Sequence, residues 1–565
     1  MNRSLLKMNK KNIIILIILV LCLGFFLRIA GIFYQTYGDE HNYVYKSLQI
    51  GHFQFLDTYN MGVGLYILFF VDSAYFLIGS LVGYFHSVAE FINLYFSNPY
   101  SFFVLGRLVE TIFGCLCIWG LYLLGREMFS PRVGIVAALF LAINPMHIEL
   151  SQIARGQAVA NLFLILSFLF LWRISKCPGF KNYVLFAVFA GCANSIRNYN
   201  IVIFLPFIIA HIKQCRNFNK GVLTKELIAS LIIFLLVYAL FVPELIFKVQ
   251  IFILYISSLA QLVMGGQTAV AYIGNESAKP WLFYLKDGFP RVLTIPLYLV
   301  VMAALVFCIF KIRKVFAASL LLLFIGAYFL VICVSNIVSA RYLLPVIPFL
   351  LLCSAYFLQE IINFIKMSPR AKSFIILTAA ILVSISPVVQ SVAHDLRILK
   401  PSTLVVGREW ILENIPHGSR VAADGMGYLT PDLKLNNVIY YDLYNLDEES
   451  LRKEIAQREK KRIDSYALKY FLDNQPFPKY YILNLGTRVE VSLNEIKERG
   501  IQYVVINENL KKIFCEQSII NKHPKICHSR DDFYLWLEKD AFPIKSFSPH
   551  SHQRGPEITV YKVKE

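Results

Sequence analysis

Long apolar runs punctuated by short clusters of lysine and arginine dominate the first 390 positions. The first run, residues 13–33, has the length needed to cross a hydrocarbon core of about 30 Å. Ten more follow: 102–124, 133–148, 158–171, 183–196, 201–212, 227–242, 292–310, 315–334, 343–358 and 374–389. The pattern predicts about eleven transmembrane helices. Arg3, Lys7, Lys10 and Lys11 precede the first run and place the N-terminus in the cytoplasm. That run is too long for a signal-peptide core and no small-residue cleavage site follows it, so it reads as an uncleaved anchor.

Charge settles the one ambiguous stretch. Residues 183–212 read either as one helix with a polar middle or as a hairpin of two short arms. Only the hairpin puts every short basic cluster inside: Arg126 and Arg132; Arg173, Lys176 and Lys181; Lys213, Arg216, Lys220 and Lys225; Lys311, Arg313 and Lys314; Lys366, Arg370 and Lys372. Residues 39–54 read as an interfacial helix and loop, and 62–85, apolar but holding Asp72, as a segment lying on or dipping into the outer face. The outer segment 243–290 reads as a lid, a substrate groove or an ordinary long loop.

After residue 389 the period changes. Strands are predicted at 419–424, 437–442, 480–484 and 501–507, and helices at 409–414, 447–462 and 493–499. The organisation is therefore a membrane domain, 1–390, and a soluble α/β domain, 391–565, outside the membrane by the parity of eleven helices. Composition agrees, with 57% hydrophobic and 16% charged residues against roughly 45–50% and 25% in soluble domains. A net charge of +18 raises the question of nucleic acid, but the basic residues are scattered in loop clusters rather than gathered on one face, so no nucleic-acid partner is expected.

Candidate chemistry sits where the first run ends, in Gly38-Asp39-Glu40-His41-Asn42-Tyr43. Helical spacing puts Asp39, Asn42 and Tyr43 on one face at the membrane surface, where a carboxylate can take a proton from a hydroxyl. His41 next to the acidic pair raises a divalent metal. Three successive residues diverge on a helix and no second cluster with ligand spacing is present, so the metal is disfavoured. Three short outer loops each carry one arginine, Arg155, Arg197 and Arg341. One such arginine reads as an interface anchor, whereas three on the side where positive charge is scarce read as an anion site. His147, Ser151 and Arg155 at spacings of four form either a polar stripe toward the outer cavity or a plain helix end. Cys515 and Cys527 enclose eleven residues in the outward domain and are expected to form a disulfide.

Four segments carry a resemblance to a known family: Asp39-Glu40 with Tyr43; Arg126-Glu127-Met128-Phe129-Ser130-Pro131-Arg132-Val133-Gly134 running to Asn144-Pro145-Met146-His147; Gly191 to Arg197; and Arg341-Tyr342-Leu343-Leu344-Pro345-Val346-Ile347-Pro348. Together they resemble the GT-C glycosyltransferases, in the branch of the protein O-mannosyltransferases and the lipid A aminoarabinose transferase. The tail segments Arg408-Glu409-Trp410 and Asn414 to Val421 are similar to the outer domain appended to bacterial members. The resemblance implies a sugar donor on polyprenyl phosphate, a lipid, glycan or protein acceptor, and membrane lipids as surroundings. It implies Asp39 at the reaction centre with Glu40 beside it, and Arg197 and Arg341 on the donor phosphate; Arg155 is grouped with them, and Tyr43, His147 and Tyr342 with the substrate. No metal is then required. The expected reaction is an inverting transfer on the outer face of a bacterial cytoplasmic membrane. A non-catalytic polysaccharide-assembly subunit and a lipid or sugar transporter are the alternatives; a transporter would show repeated halves and charges inside the membrane, and the charges here sit mostly at helix ends.

Overall fold

The computed structural model describes residues 10–34, 40–51, 62–219, 221–250, 253–254, 257, 279–335, 337–364, 367–425, 429–431, 433, 449, 452–453, 456, 480–486, 491–514, 516, 520–521, 524–550 and 553–564. Asp39, Cys515 and the predicted strand 437–442 lie outside the described residues, as does most of the predicted helix 447–462.

Every predicted apolar run is helical. In chain order the first helices are α1 (Lys10–Ile29), α2 (Glu40–Ile50), α3 (Val63–Leu81), α4 (Val88–Ser97), α5 (Tyr100–Met128), α6 (Pro131–Ala142), α7 (Pro145–Ser151), α8 (Gln157–Ile174), α9 (Phe180–Ile196), α10 (Phe204–Asn217), α11 (Lys225–Phe241) and α12 (Glu244–Phe247). Further on come Ile295–Lys311, Phe316–Val334, Ile347–Phe364 and Pro369–Ile398. Among the described residues seven helices are long and apolar enough to span a membrane. Two bent pairs raise the number to nine: α6 with α7, bent by 64°, and Pro280–Leu293 with Ile295–Lys311, bent by 119°.

Two differences separate this set from the eleven runs. α3, expected at the surface, is itself long and apolar enough to span. α9, α10 and α11, with 17, 14 and 17 residues, are each shorter than a full span. The polar middle of 183–212 does turn back on itself. Phe186 stacks on Phe207 at 4.1 Å and the Tyr183 hydroxyl meets His211 Nδ1 at 2.8 Å, so the arms run antiparallel about the 3₁₀ turn Asn198–Ile203.

The bundle core lies around α5, α6 and α8 with the helix Ile347–Phe364. α5 and α6 touch backbone to backbone: a Cβ on Gly125 would sit 2.7 Å from Gly134 Cα and 3.0 Å from a Leu352 methyl. α6 begins with Ser130 capping Val133 N–H and Pro131 in the first turn, and ends where Asn144-Pro145 breaks the helix and Asn144 caps α7.

The C-terminal region is a distinct α/β unit built on a five-stranded sheet of order β2-β1-β3-β5-β4. The strands are β1 (Arg420–Ala423), β2 (Tyr481–Asn484), β3 (Tyr503–Asn507), β4 (Ala541–Phe547) and β5 (Ile558–Val563). β1 pairs parallel with β2 and β3, while β5 pairs antiparallel with β3 and β4. Alternation sends Ala422, Val504 and Ile506 to one face, against Ile496, Phe533 and Leu537, and Val421, Ala423 and Val505 to the other, with Ile411 and Ile415. The latter cluster is continuous with Tyr43, Leu48, Leu65, Phe91 and Tyr95 of α2, α3 and α4, so the sheet region packs toward these three helices. Asp424 at the end of β1 pairs with Arg530, both fully buried, and Tyr534 donates to the same carboxylate at 3.2 Å. Cys527 is buried with Leu510 and Phe514.

Backbone contact at Gly125 makes a specific demand. Gly125→Val should overpack the α5–α6 crossing and cost about 1–3 kcal/mol, read as a lower unfolding midpoint in detergent. Gly326→Val, where a Cβ meets nothing within 4 Å, should leave the midpoint within error.

Candidate functional site

Two ionisable side chains lie inside α5, three residues apart and therefore on one face: Arg107, fully buried, and Glu110, 1% exposed. Arg107 forms a forked pair with Glu40, Nη2 to Oε2 at 2.6 Å and Nε to Oε1 at 3.0 Å. Its other amino group donates to the carbonyls of Ile32 and Tyr34, at 3.0 and 2.6 Å, which tie down the chain leaving α1. The Tyr34 ring lies 3.5 Å from the guanidinium carbon. Glu40 also accepts the Tyr34 hydroxyl at 3.1 Å and the Ala154 N–H at 2.7 Å. Each of its oxygens thus takes two donors.

Glu110 serves the other side of the same loop. It accepts the N–H groups of Gly156 at 2.5 Å and Ala158 at 2.8 Å, capping the positive N-terminus of α8. Gly156, at φ +72°, makes that turn without a side-chain clash. Arg155 stands between the two carboxylate-held points, in a loop and not on α7, which ends at Ser151. The stripe expected from His147 through Ser151 therefore does not reach it.

α8 starts at this anchored loop and lines a narrow cavity with Gln157, Ala160, Asn161 and Leu164. The turn after α9 supplies Arg197, Tyr199 and Asn200, and the segment before Ile347–Phe364 supplies Arg341, Leu344 and Pro345. Arg197 and Arg341, 144 positions apart in the chain, thus face one space. Burial pushes the Tyr199 hydroxyl above its ordinary pKa, and the charges of Arg197, Arg341 and Arg155 all pull the other way, so the three arginines share one neighbourhood. α3 is fixed to the same turn by Val63 N–H donating to Ser195 Oγ at 3.1 Å.

Tyr43 is buried against the loop, its hydroxyl packing on Gly64 and Gly156, and burial raises its pKa while Arg197 opposes the rise. Tyr342 lies next to Arg341, 5.8 Å from ring centroid to guanidinium, and its carbonyl accepts the Tyr328 hydroxyl at 2.8 Å. His147 is placed elsewhere. Its Nδ1 meets Arg28 at 2.9 Å, and Arg28 also donates to the Leu141 and Ala142 carbonyls at the end of α6. His41 packs edge-on to Phe103, its pKa lowered to about 3 by burial and by Arg107. Among the described residues no group of three or more His, Cys, Asp or Glu side chains could hold a metal ion.

Sequence reasoning passed over Arg107 and Glu110 by absorbing them into the apolar run 102–124, and set charges mostly at helix ends. Their presence inside a spanning helix was the available signal. Gln157, Asn161 and Asn200 offered none, because isolated amides near helix ends are common.

Comparison with known proteins identifies the architecture. Residues 101–247 match the family described as dolichyl-phosphate-mannose-protein mannosyltransferase. No curated protein sequence matches the chain. Among solved structures, it is similar to the archaeal oligosaccharyltransferase AglB from Archaeoglobus fulgidus in complex with an inhibitory peptide and a dolichol-phosphate, with TM-score 0.52 and 13% identity over 89% of this chain and 70% of that one. It is similar also to ArnT from Cupriavidus metallidurans bound to undecaprenyl phosphate, with TM-score 0.51 and 10% identity over 98% of each. The chain shares its overall fold with these two structures, the architecture that the sequence resemblance implied.

Breaking the Arg107–Glu40 pair from one side strands a buried charge. Arg107→Met should therefore destabilise the protein by about 3–5 kcal/mol, and combining it with Glu40→Gln should recover part of the loss, since the amide keeps a carbonyl for Ala154 N–H. Thermal unfolding of the two single variants and the double in detergent measures both effects.

Proposed function

We propose that this protein transfers a sugar from a polyprenyl-phosphate donor to a hydroxyl of a lipid, glycan or protein on the outer face of the membrane. The observation that carries the reading is the convergence of Arg197 and Arg341 on one cavity, with the charge of Arg155 in the same neighbourhood. Guanidinium groups gathered on one wall suit a phosphate, whose oxygens match their planar donor forks. The fold supports it, because AglB was solved with a dolichol-phosphate and ArnT with undecaprenyl phosphate.

In the proposed reaction Asp39 takes the proton of the acceptor hydroxyl as its oxygen attacks the anomeric carbon. The bond from that carbon to the phosphate oxygen breaks, and polyprenyl phosphate leaves with the electron pair. Single displacement inverts the anomeric centre. Charge grows on the phosphate along this path, so arginine contacts strengthen in the transition state. Glu40 acts as an anchor: with Arg107, Tyr34 and Ala154 N–H on its carboxylate, it fixes the residue that follows Asp39 in the chain. Tyr43 and Tyr342 shape the substrate space, and His147 serves the α6–α7 break through Arg28. No resident metal is invoked.

The membrane reading belongs to the same proposal. Eleven crossings put the N-terminus in the cytoplasm and the C-terminal region outside, where a Cys515–Cys527 bond would form. Reporter fusions at Arg216 and Lys562 should then read opposite sides, and same-side signals would refute that count.

Asp39→Asn keeps shape but cannot accept the proton, so turnover should fall by about 10²- to 10⁴-fold with donor binding preserved. Arg341→Ala and Arg197→Ala should weaken donor binding as well as turnover, since a phosphate contact exists already in the ground state. Single-turnover assays with radiolabelled polyprenyl-phosphate sugars separate the two classes.

A further inference from the structure

The arginine-lined cavity contains groups that a phosphate cannot use. Asn161, 2% exposed and one turn into α8, has neither its amide nitrogen nor its amide oxygen partnered among the described residues. Asn200, 1% exposed, spends its nitrogen on the Ala193 carbonyl at 3.1 Å, and its Oδ1 has no partner. Both residues line the space that Arg197 and Arg341 face. A buried amide without partners costs about 1–3 kcal/mol per group, so two of them in one wall mark a site that something else completes.

The chemistry of that something follows from donor and acceptor roles. Arginine only donates, and the phosphate of a lipid-linked sugar is a diester with no proton, so it only accepts. The Asn200 Oδ1 cannot turn into a donor without giving up Ala193, and an acceptor facing a phosphate oxygen is repelled. A hydroxyl both donates and accepts, and adjacent ring hydroxyls match an amide's N–H and C=O side by side.

We propose that Asn161 and Asn200 form a sugar-reading subsite, binding hydroxyls of the glycosyl group while Arg197 and Arg341 hold the phosphate next to it. The inference rests on the donor reading above and adds to it a division of labour: arginines recognise what the donor and the spent carrier share, and asparagines recognise what only the donor has. The site is thereby built to favour the loaded lipid over its own product.

The test compares decaprenyl phosphate with decaprenyl-phosphoryl mannose, glucose and arabinose, binding each to purified full-length protein in nanodiscs. At least one glycosylated lipid should bind wild type more tightly than the bare phosphate. Asn161→Leu should weaken that lipid about tenfold, as expected for the loss of a pair of neutral hydrogen bonds, and leave the bare phosphate unchanged. Arg341→Ala should weaken both by the same factor. The ligand-free unfolding midpoint adds a readout that a merely structural asparagine would move the other way: Asn161→Leu should raise it, because an unpartnered amide leaves a buried wall. An unchanged ratio of donor to bare-lipid affinity in Asn161→Leu, or equal weakening of both lipids, would overturn the subsite while leaving the donor reading standing. A wild-type protein that binds none of the four lipids would remove both.

Discussion

A guanidinium with no exposed surface has to be matched where it lies. Arg107 is matched by a carboxylate and two backbone carbonyls, and those partners come from the link that follows α1 and the start of α2. The carboxylate in turn takes the Ala154 N–H. One ion pair therefore fixes the chain between α1 and α2 and one side of the loop ahead of α8; Glu110, one turn along α5, fixes the other side. The pair is a poor source of net stability, since replacing both partners by apolar groups is often neutral, but it allows only one arrangement of the segments that meet there. The arginine cavity inherits its geometry from that arrangement, because α8 lines one wall.

Glutamate in two different roles shows how a neighbouring charge decides function. Glu40 and Glu110 are both buried, and both are acceptors for backbone N–H groups of one loop, yet only Glu40 has an arginine within bonding distance. The two glutamates hold the backbone of this loop through its N–H groups, Glu40 at Ala154 and Glu110 at Gly156 and Ala158, where α8 begins.

Much of the architecture was legible in the chain. Hydrophobic runs marked the helices because a spanning segment must be apolar over most of its length. Basic clusters identified the hairpin between residues 183 and 212, which ring contacts at Phe186–Phe207 bear out. Loop position singled out Arg155, Arg197 and Arg341, the resemblance pointed to the last two, and those two line one cavity, although nothing in the sequence gives their separation. Three things were hidden for physical reasons. Arg107 and Glu110 were masked by the apolar average around them. α3 reads as surface because of its Asp72, which the structure buries with a hydrogen bond from Ser47 at 2.8 Å. β4 and β5 went unread because β4 carries Pro543 and Lys545 among its apolar residues, and sheet pairing is a contact between distant segments that local pattern cannot supply.

Arg554, in the link between β4 and β5, lies 5.9 Å from the centre of the Tyr34 ring, and its carbonyl accepts the Thr403 N–H at 2.9 Å. Tyr34 is the same residue that stacks on Arg107 and donates to Glu40. The C-terminal region is thus not a module that recombination could trade freely between relatives. A transplanted tail that lacked a cation at this position would remove a neighbour from the ring against which the buried guanidinium rests.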